Sequence, residues 1–235
     1  MIPKPESIGV RLDMIPDELK CQDRFVMWDW HWKGGKWGKV PKQLDGSFAK
    51  TNDENTWCSF KDAAEAIAAD RFAGLGFVLF PGITGVDVDD CYDSEGWSPK
   101  AELIQHLLGT YAEMSPSGKG LKCLAFGRLD DKLRKISHGE GIELYDGATT
   151  NRFFCLTGHV LEGEKYRKIV GARDQLFSIQ CMISEPKKQI REFQEDPERA
   201  SKAIDFLNHL SDDRADEYGS WLSIGMALNW CDRSD

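Results

Sequence analysis

The sequence predicts an α+β domain with a mostly antiparallel sheet, and three observations carry that prediction. Short segments of alternating apolar and polar residues recur at close intervals, tight-turn dipeptides separate them, and two helix signals fall between them. In chain order, residues 24–32 alternate with Val26, Trp28, Trp30 and Trp32 on one side; Gly34-Gly35 turns the chain, and residues 36–41 return it as a β-hairpin. Ser59 caps a helix that carries Ala63, Ala64, Ile67 and Ala68, with Asp62 at the favourable third position. Residues 75–80, a Pro81-Gly82 turn and residues 86–90 read as a second antiparallel pair. Ser98-Pro99 starts a helix striped by Leu103, Ile104, Leu107 and Leu108, and Gly109 ends it. Residues 111–114 and 121–126 are strands around a glycine-rich loop, and residues 142–145 and 153–156 are two more.

The expected organisation is one domain over 1–184, comprising an N-terminal module of about 1–72 and a sheet of about 73–184. Charged residues mark a linker at 185–197, and 198–235 begins a helical domain too short to bury both of its apolar faces. No run of 18 apolar residues exists and Met1 to Glu6 holds no apolar signal core, which implies a cytoplasmic protein without a membrane span. The seven cysteines form no C-x-x-C pair and read as reduced core residues, not a zinc site or disulfide frame. The net charge of −9 is unevenly spread. Residues 31–50 hold five lysines against Asp45 alone, and residues 115–135 hold six bases against two acids. Either patch suits a polyanion, or is an ordinary lysine-rich surface.

The chemistry centres on Gly85-Val86-Asp87-Val88-Asp89-Asp90. Alternation puts Asp87 and Asp89 on one face, roughly 6–7 Å apart. At an effective dielectric near 20 two such charges repel by roughly 3 kcal/mol, a strain that a divalent cation would relieve. On a solvated turn the repulsion needs no ion. Ser117-Gly118-Lys119-Gly120 joins permissive backbone, a hydroxyl and a cation, the ingredients of a phosphate cradle or of a plain glycine turn. It is no Walker A loop, because Glu113 stands where that motif needs glycine and no Ser or Thr follows Lys119. Glu143 on a later strand would complete a two-cation site with the acid pair, and Arg152 would bind phosphate. The plainer readings are an edge-strand glutamate and a surface ion pair.

In this order, Gly74 to Leu79, Val86 to Asp90, Ser115 to Leu121, Ile142 to Tyr145 and Arg152 to Gly158 resemble the archaeo-eukaryotic primase superfamily across about residues 20–160. Within it the phage and mobile-element primase-polymerases are most similar, with their acidic pair on a strand, their Ser-Gly-x-Gly loop and an acid on a following strand. The resemblance implies a primase-polymerase fold with an RRM-like catalytic sheet, in a replication protein of a phage or mobile element within a bacterial host. It implies template-directed nucleotidyl transfer by Asp87, Asp89 and Glu143 holding two Mg²⁺ or Mn²⁺ ions. Ser117, Lys119, Lys122 and Arg152 would hold the nucleoside triphosphate. Lys36, Lys39 and Lys42 would hold single-stranded DNA template and primer beside neighbouring aromatics. Lys122 departs from the family, which has histidine there; His159 is the candidate substitute. Residues 203–228 resemble the helical primase C-terminal domain, which admits a helicase as a further partner. The departure at Lys122 also admits a degenerate module that binds nucleotide or single strands without synthesis, and the acids alone would suit a metal-dependent nuclease.

Overall fold

Alternation and turn chemistry produce the elements in sequence. The computed structural model describes residues 2–131 and 141–184. A short helix α1 (Asp17–Lys20) precedes strands β1 (Phe25–Lys33) and β2 (Lys36–Lys42), helix α2 (Phe60–Ala68), and strands β3 (Gly74–Val78) and β4 (Ile83–Val88). A two-residue ribbon, β5 (Tyr92–Asp93) and β6 (Gly96–Trp97), leads to helix α3 (Pro99–Leu108), then strands β7 (Tyr111–Met114), β8 (Leu121–Phe126), β9 (Ile142–Asp146) and β10 (Phe153–Leu156), and helix α4 (Arg173–Ser184). The helix starts are the predicted ones. Ser59 Oγ accepts the Asp62 amide at 3.2 Å, Ser98 Oγ accepts that of Ala101 at 3.3 Å, and Gly109 closes α3 in the left-handed region.

Among the described residues every strand–strand pairing is antiparallel, so the α+β expectation holds, but apart from the β5–β6 ribbon the strands divide into two four-stranded sheets. One has the order β10-β3-β1-β2 and the other β7-β8-β4-β9. The hairpin expected between 75–80 and 86–90 is therefore absent. Both edges of β3 are occupied by β1 and β10, and both edges of β4 by β8 and β9, so the Pro81-Gly82 turn carries the chain from one sheet to the other. Helix α4 lies where no helix was expected; Leu176 and Ile179 bury its apolar stripe. The linker and the helical segment expected at 185–235 lie outside the described residues.

The inner faces of the two sheets share one core, with Phe25, Met27, Leu75, Phe77 and Leu156 from the first and Ile83, Tyr111, Leu124 and Tyr145 from the second. Helix α2 enters the same core through Ala63 and Ala66. The outer face of the second sheet, including Val86, Val88, Cys123 and Leu144, packs with Ile104 of α3 and Leu176 of α4. Because side chains alternate, the valines flanking Asp87 are buried toward the helices while Asp87 faces the side of the first sheet. Among the described residues no helix is long and apolar enough to cross a membrane.

Candidate active site

Strand register assembles the site. Asp87 on β4 stands directly opposite Lys122 on β8 and Glu143 on β9, and Lys122 stands opposite Glu113 on β7. Facing residues of antiparallel strands have Cβ atoms roughly 4.5–5.5 Å apart, so these four form one row of charge across four strands. The Lys122 ammonium pairs with Asp87 Oδ2, and the two side chains are only 7% and 16% exposed. Burial is the largest influence and opposes the Lys122 charge, but the Asp87 carboxylate and the hydrogen bond to it, together with Cys155 and Glu113, outweigh it and raise the ammonium pKa. Asp87 Oδ1 is buried and has no hydrogen-bond partner among the described residues.

A glycine makes room for this row. A Cβ at Gly85 would lie 2.8 Å from the Phe154 ring, so only glycine lets that ring of β10 rest on β4 beside Asp87. The Lys122 ammonium sits 4.3 Å from the centre of the same ring. Glu113 is fully buried, where its carboxylate accepts the Tyr111 hydroxyl at 2.6 Å, the Gly158 amide at 2.7 Å and the Thr157 amide at 3.0 Å. Burial pushes its pKa up to about 7 against those hydrogen bonds.

Asp89 lies just past β4, held by its amide to the Gly141 carbonyl at 2.8 Å. Its carboxyl is raised, first by withdrawal from water and then by the Asp87 charge, with Lys122 opposing and Glu143 adding. Among the described residues, no three His, Cys, Asp or Glu side chains are drawn together as a finished metal cluster. The donor set nevertheless suits a hard divalent cation: the facing residues Asp87 and Glu143 offer carboxylate oxygens, one of them partnerless, and Asp89 adds a third carboxylate at the strand end.

The Ser115–Gly120 loop closes the β7–β8 hairpin beside these acids. The Cys91 and Tyr92 amides donate to the Lys119 carbonyl at 2.7 and 3.0 Å, which ties the loop to the chain leaving β4. A Cβ at Gly120 would meet the Val88 carbonyl at 2.8 Å, so glycine is required for this approach. The amides of Gly118, Lys119 and Gly120 are already bonded to the Ser115 carbonyl, Ser117 Oγ and Ser115 Oγ. What the loop presents outward is the exposed side chains of Ser117 and Lys119. Arg152 is exposed and stacks 4.9 Å over Tyr145, which is two residues from Glu143 on the same face of β9.

His159 is placed apart from this group. Its carbonyl accepts the Met114 amide at 2.9 Å, which sets it on the outer side of β7, roughly three strand spacings or 14 Å from β4. The lysines of β2 are also divided. Lys39 lies among the indoles of Trp28 and Trp30 at 5.6 and 5.4 Å, whereas Lys36 and Lys42 alternate to the other face. There Lys42 sits 4.0 Å from the ring of Phe48, itself 58% exposed, and His31 meets that ring at 6.0 Å.

No protein-family model matches the chain. A curated protein does: 30% identity extends over 154 residues with a protein of Nitratiruptor phage NrS-1 named DNA primase-polymerase. The chain is related to a phage primase-polymerase. The match covers 62% of this chain and 21% of the relative, so the chain spans about a fifth of that protein's length. The relationship accords with a face that gathers acids, a lysine and a loop of serine and lysine at one sheet end. Glu113, Gly85 and Phe154 take parts in the site that their sequence positions do not announce. The alternation of Tyr111 and Glu113 along β7 was the available signal for the first, since it sets an acid on the face opposite the buried Ala112.

Proposed function

We propose that this domain catalyses template-directed nucleotidyl transfer, and the observation that carries the reading is the facing of Asp87 and Glu143 on adjacent strands, beside Asp89 and the Ser117–Gly120 loop. Asp87, Asp89 and Glu143 would hold two Mg²⁺ or Mn²⁺ ions, which when bound lower the barrier by activating a hydroxyl and neutralising a triphosphate. Ser117 and Lys119 reach outward from the loop to the phosphates, and Arg152 adds a planar cation on the β9 side. The primer 3′-hydroxyl oxygen attacks the α-phosphorus, and pyrophosphate leaves. Lys36 and Lys42, with the Phe48 ring against Lys42 and His31 beside that ring, suit a single strand by phosphate contact and base stacking. Lys39, wedged between indoles, serves to position those rings.

One observation favours a second reading. Lys122 already occupies Asp87 Oδ2, which is what a module that binds nucleotide or single strands without synthesis would retain. A labelled primer on template, with ribo- or deoxyribonucleoside triphosphates and Mn²⁺, separates the two. Extension should occur with the wild-type chain and fall by about 10³-fold in Asp87→Ala/Asp89→Ala, the scale expected for losing metal-assisted stabilisation. Undiminished extension in the double variant would overturn the assignment, and a wild-type chain that retains template but makes no product would favour the binding module.

A further inference from the structure

Lys122 faces two carboxylates and is bonded to one. Register sets it directly opposite Asp87 on β4 and directly opposite Glu113 on β7, and both it and Glu113 are buried. We propose that Glu113 is the second seat of the Lys122 ammonium, a positioning residue that receives it whenever Asp87 is engaged elsewhere. The proposal rests on the nucleotidyl-transfer reading in one respect, that what engages Asp87 is a divalent cation.

The bonding inventory supports a second seat. Glu113 Oε2 accepts the Tyr111 hydroxyl, the Gly158 amide and a share of the Thr157 amide, whereas Oε1 holds only the other share of the Thr157 amide. A carboxylate oxygen has two acceptor sites, so Oε1 keeps capacity, and an ammonium with three donors has protons to fill it. Phe154, 4.3 Å from the ammonium, gives Lys122 an aromatic surface where it is bonded to Asp87. A buried ammonium that lost Asp87 without a second partner would be strongly disfavoured. Water offers little help, because Lys122 is 6% exposed. A cation arriving at the partnerless Asp87 Oδ1 would also repel the ammonium on Oδ2, and Glu113 is the carboxylate on the far side of it.

The test is a melting-temperature cycle on the full chain, which needs no metal and no activity. Asp87→Asn alone should lower the melting temperature modestly, because Lys122 moves to Glu113. Asp87→Asn/Glu113→Gln should fall by about 10 °C more than the two single losses together, the scale of a buried charge left unpaired in a domain of this size. Adding Lys122→Met should remove that excess. Additive losses, or an excess that persists after Lys122→Met, would overturn the proposal. If Asp87→Asn/Glu113→Gln does not fold, adding Lys122→Met should restore folding, and a triple variant that stays unfolded while Asp87→Asn and Glu113→Gln each fold contradicts the proposal. A second readout is Mn²⁺ binding followed by electron paramagnetic resonance. Glu113→Gln should weaken it about 10-fold while Lys122 is present and leave it unchanged beside Lys122→Met, a pattern that loss of hydrogen bonds alone does not produce. A wild-type chain that binds no Mn²⁺ would overturn the cation reading, and the melting cycle would still decide the role of Glu113.

Discussion

The two sheets treat charge in opposite ways. In β7-β8-β4-β9, Glu113, Lys122, Asp87 and Glu143 cross the whole sheet, and the lysine between two acids is buried. In β10-β3-β1-β2, all the lysines but Lys33 at the end of β1 lie on the edge strand β2, where Lys39 and Lys42 are laid against aromatic rings and Lys36 is exposed. Charge buried on middle strands is held by partners and is costly to disturb, whereas charge on an edge strand is cheap and suits a polyanion that must bind and slide. The contrast is what the proposed function needs, with chemistry on the second sheet and strand-holding on the first.

The strongest way to break that contrast is to remove one partner from each sheet. Asp87→Ala takes from Lys122 its ion-pair partner, which Glu113 replaces in part, and should cost about 2 kcal/mol in denaturant unfolding, whereas Lys42→Ala should cost less than about 1 kcal/mol. Equal losses would mean that the Lys122–Asp87 pair is no more demanding than an exposed lysine.

The pH dependence sharpens the same point. Because the folded Glu113 pKa is raised to about 7, the folded state holds its proton more tightly than the unfolded chain does. Its contribution to stability is full below the ordinary carboxylate range and is lost as pH rises to about 7, on the order of 3 kcal/mol in all. Melting temperatures of the wild type relative to Glu113→Gln should therefore fall between about pH 4.5 and 7 and level off above. A flat difference would place Glu113 among ordinary solvated acids.

Packing provides a smaller effect. Gly85→Ala drives a Cβ to within 2.8 Å of the Phe154 ring and should destabilise by about 1–3 kcal/mol. Gly38→Ala on β2 meets nothing within 4 Å and should stay within about 0.5 kcal/mol. The smallest effects belong to the edge lysines. Lys36→Ala and Lys42→Ala should each lower the slope of log affinity against log salt for single-stranded DNA by about 1, with little change in stability. An unchanged slope would remove the single strand from this face.

Local patterns made much of this legible. The caps at Ser59 and Ser98, the β1–β2 hairpin and the alternation of Val86, Asp87 and Val88 follow from residues close together in the chain. The sequence suggests a β3–β4 hairpin that the fold lacks, because a Pro-Gly turn between two apolar runs looks the same whether the runs pair or join separate sheets. That choice depends on β1, β8, β9 and β10, which compete for their edges from distant parts of the sequence. The acids and Lys122 could be named from sequence, but their row could not, since register across β7, β8, β4 and β9 decides which carboxylate faces which lysine. Glu113 looked like a residue that failed a glycine motif; its hydrogen bonds to the Thr157 and Gly158 amides, more than 40 positions away, give it another meaning.

A crystal soaked with Mn²⁺ and a nucleoside triphosphate tests the central claim most directly. The account predicts anomalous density against the Asp87 and Glu143 carboxylates, phosphates at Ser117 and Lys119, and the Lys122 ammonium withdrawn from Asp87. Lys122 still bonded to Asp87, with manganese absent from Asp87 and Glu143 while the nucleotide is bound, would contradict it.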